Sequence, residues 1–81
     1  MLKFNGHGYV LEILLNGSYR IGSVGNDGQP SIWITIFETE NKPERDKNII
    51  LSGYVTSRLR EESDVRVYST AFHVTDWKEV S

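Results

Sequence analysis

Aromatic rings and arginines recur at every second position along parts of this sequence. From Ser31 to Thr39, Trp33 and Phe37 alternate with isoleucines. From Val65 to Phe72, Arg66, Tyr68, Thr70 and Phe72 share one parity, and Tyr54 has the parity opposite to Val55. Arg20 follows Tyr19, and Arg58 and Arg60 flank Leu59. A flat ring offers a face on which a planar base stacks, and a guanidinium holds a phosphate. Interleaving the two is what a single strand of nucleic acid requires. Each stacked base contributes about 1–3 kcal/mol, so two or three such contacts give micromolar binding. Trp33, Phe37, Tyr54 and Tyr68, with Phe72, are the expected stacking residues. Arg20, Arg58, Arg60 and Arg66 are the expected phosphate contacts.

The same rings suit a subunit interface, where Trp and Tyr are enriched. Trp33 and Phe37 on one strand face fit that alternative equally well. Trp77, among His73, Asp76 and Lys78, reads as a packing residue that anchors the last strand. Lys42, Arg45 and Lys47 alternate with Glu38, Glu40, Glu44 and Asp46, which makes that stretch a self-neutralising, solvated segment.

Signals for catalysis are weak. His7 sits between Gly6 and Gly8, His73 is the only other histidine, and there is no cysteine. Two distant histidines do not make a metal-ligand spacing. No nucleophile motif, phosphate loop or dinucleotide fingerprint occurs. Glu61 and Glu62 are sequence neighbours and do not face one another on a helix. The expectation is a protein that is not an enzyme and takes no cofactor and no metal.

The elements that position these residues read as strands. Gly8 to Leu15 ends at Asn16-Gly17, a strong hairpin-turn signal. Ser18 to Val24 follows and stops at Gly25-Asn26-Asp27-Gly28-Gln29-Pro30, which is dense in turn formers. Ser31 to Thr39 alternates with period two, and Ile32, Ile34 and Ile36 are the expected core face against outward Trp33 and Phe37. Residues 38–48 read as a long polar hairpin loop. Asn48 to Thr56 restarts a strand with Ile49, Leu51 and Val55 on one side. Thr56 to Glu62 reads as one or two helical turns with Ser57 as N-cap. Val65 to Phe72 and His73 to Val80 complete the set, with Val65, Val67 and Ala71 on the core side.

Eighty-one residues make a single domain. The chain is 38% hydrophobic and 25% charged, an ordinary globular profile. A core this small is marginal, which favours a homodimer or higher homo-oligomer. The formal charge of −2 excludes coating duplex nucleic acid by bulk charge and leaves room for a local basic groove. No apolar run reaches the length of a membrane span, and no membrane partner is expected. Without cysteine or an apolar leader, a cytoplasmic location is expected, the host cytoplasm if the gene is phage-borne. Short strands with one helical turn between the third and fourth main strands predict an all-β, five-stranded OB-like barrel over residues 1–81.

Met1-Leu2-Lys3-Phe4-Asn5-Gly6-His7-Gly8 resembles the opening strand of the single-stranded DNA-binding protein family in its short, phage- or plasmid-like form. Asn48 to Val55 followed by Ser57-Arg58-Leu59-Arg60 is similar to that family's third strand and helix. Asp64 to Ser69 and Asp76-Trp77 resemble its closing strands. The chain departs from the family pattern at Ser63 and Ser69, where glycines are usual, and lacks an Asp-Pro-Glu after the first strand. The resemblance implies an OB fold that binds single-stranded DNA without sequence preference, as an oligomer with a role in replication. The alternative from another class is a small all-β protein-interaction module, an inhibitor of a host or defence enzyme, with a protein as its partner.

Overall fold

The chain first reverses at Asn16-Gly17. Gly17 takes a φ of 89°, which a side chain would resist. Asn16 Oδ1 accepts from the Ser18 N–H at 3.0 Å and from the Ser18 hydroxyl at 2.6 Å. The turn pairs β1 (Leu2–Ile13) antiparallel with β2 (Tyr19–Val24), and β3 (Pro30–Phe37) adds to β2. A second, longer hairpin joins β4 (Asn48–Glu62) to β5 (Val65–Glu79). The computed structural model describes residues 1–24 and 27–80, without the side chains of Arg60 and Glu62. Gly25 and Asn26 of the expected second turn lie outside the described residues.

The β1-β2-β3 meander and the β4-β5 hairpin join at both sides. β1 pairs with β4 from Leu2↔Val55 to Tyr9↔Asn48, and β3 runs parallel to β5 from Thr35↔Phe72 to Phe37↔Val74. The result is a closed, five-stranded, all-β barrel in the order β1-β2-β3-β5-β4, an OB-like fold. Its core is Val10, Tyr19, Ile21, Phe37, Ile49, Leu51 and Val74, with Phe4 and Trp77 packed against it. Where β5 bulges at Thr75, opposite the Ser52–Gly53 step of β4, Gly53 lies so close to the His73 carbonyl that a β-carbon would overlap it.

Among the described residues, β4 beyond Val55 and β5 before Phe72 have only each other as partners. Residues 56–71 therefore form a two-stranded arm, turned at Ser63 and Asp64 with φ of 50° and 68°. Positive φ at both central residues matches a type I′ turn. The arm lengthens the molecule to 47 Å and gives a radius of gyration of 13.7 Å. A compact chain of this length would have about 12 Å.

Three expectations need correction. No helix occurs among the described residues: Thr56 to Glu62, expected as helical turns, continues β4. Seven residues cannot sustain a helix alone, while the ladder to β5 satisfies every second backbone pair and sets Leu59 opposite Tyr68. His73 to Val80 is not a separate strand but the second half of β5. Residues 38–47 are not a hairpin loop, because β3 and β4 are not neighbours; they cross one end of the barrel.

The faces of β3 are also reversed. Thr35 and Phe37 point inward at 1% and 4% exposure, whereas Ile32, Ile34 and Ile36 lie exposed on the outer wall. Val65 and Val67, expected in the core, are exposed on the arm. A strand offers one face to the interior, and the pairing that brings Tyr19 against Phe37 at 4.6 Å gives that face of β3 to Thr35 and Phe37.

Candidate nucleic-acid interface

One end of the barrel is shut. Residues 38–47 lie across it, with Pro43 buried. Tyr19 donates its hydroxyl to the Pro43 carbonyl at 2.8 Å, and Trp77 donates Nε1–H to the Asn41 carbonyl at 2.7 Å. Burial of Tyr19 pushes its phenol above the usual 10.0. Trp77 thus anchors the closed end, the packing role its position suggested.

The other end is open. Phe4 and Gly6 of β1, Ile21 and Ser23 of β2, Trp33 of β3 and Phe72 of β5 surround a cavity of about 240 Å³ floored by Thr35 and Leu51. Phe72 meets Phe4 at 5.3 Å and Trp33 at 5.0 Å, both edge to face. Trp33 donates Nε1–H to Ser23 Oγ at 2.9 Å, which fixes the indole while leaving the residue 44% exposed. A β-carbon on Gly6 would meet nothing within 4 Å.

The arm extends this mouth outward. Alternation along β5 keeps Arg66, Tyr68, Thr70 and Phe72 on one face, the face that lines the mouth at Phe72. The register sets Ser57, Leu59 and Glu61 of β4 beside Thr70, Tyr68 and Arg66. Tyr68 is 66% exposed, with exposed Leu59 as its cross-strand neighbour. Tyr68 lies about 13 Å along the strand from Phe72 at 3.3 Å per residue. Rings and a guanidinium are thus strung along a surface that ends in the cavity.

Of the expected residues, Trp33, Arg66, Tyr68 and Phe72 come together in this way. The others do not. Phe37 is in the core and presents no ring to solvent. Tyr54 sits on the outer wall, stacked on His73 with centroids 4.7 Å apart and planes 1° from parallel. Its hydroxyl donates to Glu38, at 2.8 Å to Oε1, and that bond raises its pKa above 10.0, with burial and the nearby carboxylate adding to the rise. Glu38 also lies 3.3 Å from His73 Nδ1, and Thr56 Oγ1 is 3.0 Å from His73 Nε2. One face of the Tyr54 ring is therefore covered. Arg20 is on the outer wall in an exposed ion pair with Glu12 at 2.7 Å. Arg58 lies on the arm face opposite Tyr68. The side chain of Arg60 lies outside the described residues.

Sequence reasoning missed Phe4, Gly6 and Leu59. Phe4, Gly6 and Gly8 share one parity, a signal that one face of β1 faces the barrel interior with small residues beside a ring. Leu59 was hidden by the helical reading. Among the described residues, no three His, Asp or Glu side chains gather in a way that would hold a metal ion.

No family model and no curated protein matches this sequence. The fold is similar to the crystal structure of a small single-stranded DNA-binding protein from Streptomyces coelicolor, with a TM-score of 0.62 at 10% identity, over 98% of this chain and 94% of that one.

Proposed function

We propose that this protein binds single-stranded DNA along the surface that runs from the arm into the open mouth of the barrel. The observation that carries the reading is the shared face of Arg66, Tyr68 and Phe72, which meets Trp33 at the mouth. Tyr68 and Trp33 offer faces for stacking, and Arg66 holds a phosphate. Similarity in fold to a protein that binds single-stranded DNA supports the same reading. Stacking and one or two phosphate contacts give sequence-tolerant, salt-sensitive binding. Nothing in this role calls for catalysis or a cofactor.

Self-association is a companion proposal, supported by the exposed stripe of Ile32, Ile34 and Ile36 on the outer wall. The same stripe is the one observation that favours the second reading, a module that docks on another protein. The test of the first reading is titration of oligothymidylate at several salt concentrations. Tyr68→Ala is expected to weaken binding by about 5- to 100-fold with an unchanged salt slope. Arg66→Ala is expected to weaken it and reduce the slope by about one unit or less. Glu61→Gln, which removes the carboxylate opposite Arg66 in the ladder, is expected to tighten it. Wild-type protein that ignores oligothymidylate at every salt ends this reading and passes the isoleucine stripe to the second.

A further inference from the structure

The open mouth is more than a rim of rings, because behind them lies unfilled space. Gly6 faces the interior beside Leu51, and a β-carbon there would find no atom within 4 Å. A dry engineered cavity of about 150 Å³ takes one benzene. The cavity here, about 240 Å³, has room for a larger flat ring. Its walls are the rings of Phe4, Trp33 and Phe72, which suit the apolar faces of a planar guest.

One side of the cavity is polar, and the reason is topological. β1 pairs with β4 over Leu2 to Tyr9 and with β2 only from Tyr9 onward. Among the described residues, the other edge of β1 from Leu2 to Gly8 has no strand partner. That edge borders the cavity at Asn5, Gly6 and His7. Unpaired strand edges present N–H and C=O groups in a row. A guest that fits must have flat apolar faces and one edge carrying hydrogen-bond donors and acceptors. An aliphatic chain lacks the edge, and a benzene ring lacks the polarity.

We infer that the cavity receives a single nucleobase, held between the three rings with its hydrogen-bonding edge toward the open backbone of β1 at Asn5 to His7. The inference rests on the proposed binding of a single strand, whose path along Arg66 and Tyr68 delivers a base to the mouth. Base insertion gives the site a foothold that stacking alone does not. The strand is then held at one fixed point and lies more loosely along the arm.

Two probes test it: thymidine alone, and an oligothymidylate octamer. In amide and indole NMR spectra, thymidine is expected to shift the Gly6, His7 and Trp33 indole signals and to leave those of Arg66 and Tyr68 in place. Gly6→Leu fills the cavity from a position with space for it, and is expected to weaken octamer binding about tenfold with an unchanged salt slope. If the octamer binds but thymidine leaves the Gly6 and Trp33 signals unmoved, or folded Gly6→Leu binds as wild type does, base insertion is overturned and strand binding stands. If thymidine shifts those signals but the octamer does not bind, the strand reading fails and the base site stands. Signals at the cavity that move with protein concentration, and not with thymidine, assign it to a second copy and overturn the inference. Should Gly6→Leu not fold, Gly6→Ala and the thymidine titration of wild type decide the question.

Discussion

Trp33 and Phe72 meet edge to face, with ring centroids 5.0 Å apart, on two strands that run parallel. Such a pair contributes about 0.5–1.5 kcal/mol beyond the area it buries. It stands where the short parallel ladder ends and the arm begins, so it ties the barrel mouth to the root of the arm. Anything bound at the mouth alters the surroundings of this indole.

That makes Trp33 a reporter. Trp77, the other tryptophan, is hydrogen-bonded to Asn41 at the closed end. In Trp77→Phe protein, oligothymidylate is expected to quench the remaining fluorescence. In Trp33→Phe protein, the residual Trp77 signal should be unmoved by the same titration. Quenching that survives only in the second variant would place the strand at the closed end instead of the mouth.

The outer isoleucines give a second expectation. Ile34 is 44% exposed and faces away from the core beside Arg20. A lysine there is expected to change stability by no more than about 0.5 kcal/mol. Sedimentation of wild type at micromolar concentration is expected to show a dimer or larger species, and of Ile34→Lys a monomer. A wild-type monomer would remove the stripe from any role in self-association.

Alkali is expected to destabilise the fold. The phenols of Tyr19 and Tyr54 are held above 10.0 in the folded protein, Tyr19 by burial and Tyr54 chiefly by its bond to Glu38. The unfolded chain then releases these protons first, so the stabilisation is fully present below about pH 10 and is lost as pH rises beyond it. Urea midpoints should be flat from pH 7 to 9 and fall above 10. Tyr19→Phe and Tyr54→Phe should each shallow that fall. A midpoint insensitive to pH 11 would show that neither hydroxyl matters to the folded state.

Gly53→Ala tests the bulge. Its β-carbon would overlap the His73 carbonyl, a backbone group that cannot rotate away. The expected cost is about 2–3 kcal/mol, read as a lowered urea midpoint at constant m-value. Gly6→Ala, which meets open space, serves as the contrast. Equal midpoints for the two would mean that β4 and β5 separate at the bulge more easily than their pairing suggests.

Strand content, the Asn16-Gly17 turn and the OB-like barrel were legible because each leaves a local mark, in period-two alternation or in a turn dipeptide. Which face of β3 is inward was not legible. Ile32, Ile34 and Ile36 alternate with Trp33, Thr35 and Phe37, and both sets are apolar enough to be core. Only the partner strands decide, by bringing Tyr19 against Phe37. The arm was hidden for a related reason. Arg, Leu and Glu favour a helix, and the ladder opposite Val65 to Thr70 overrides that preference through cross-strand contacts that the seven-residue stretch does not show by itself. The grouping of Arg66, Tyr68 and Phe72 survived because one strand carries all three. Tyr54 was lost because its partners Glu38 and His73 come from other elements.

The barrel closes through only a brief parallel ladder, Thr35↔Phe72 to Phe37↔Val74, and this has a consequence for how the chain folds. The meander β1-β2-β3 and the hairpin β4-β5 each form from neighbouring residues and are cheap in loop entropy. Joining them requires β1 to find β4 and β3 to find β5 across about half of the sequence or more, which makes closure the slow, non-local event. Residues 38–47 span the gap between the β1-β2-β3 meander and the β4-β5 hairpin, so a chain cut there becomes a three-stranded and a two-stranded fragment. Each would carry part of a barrel, and folding of either would await its encounter with the other.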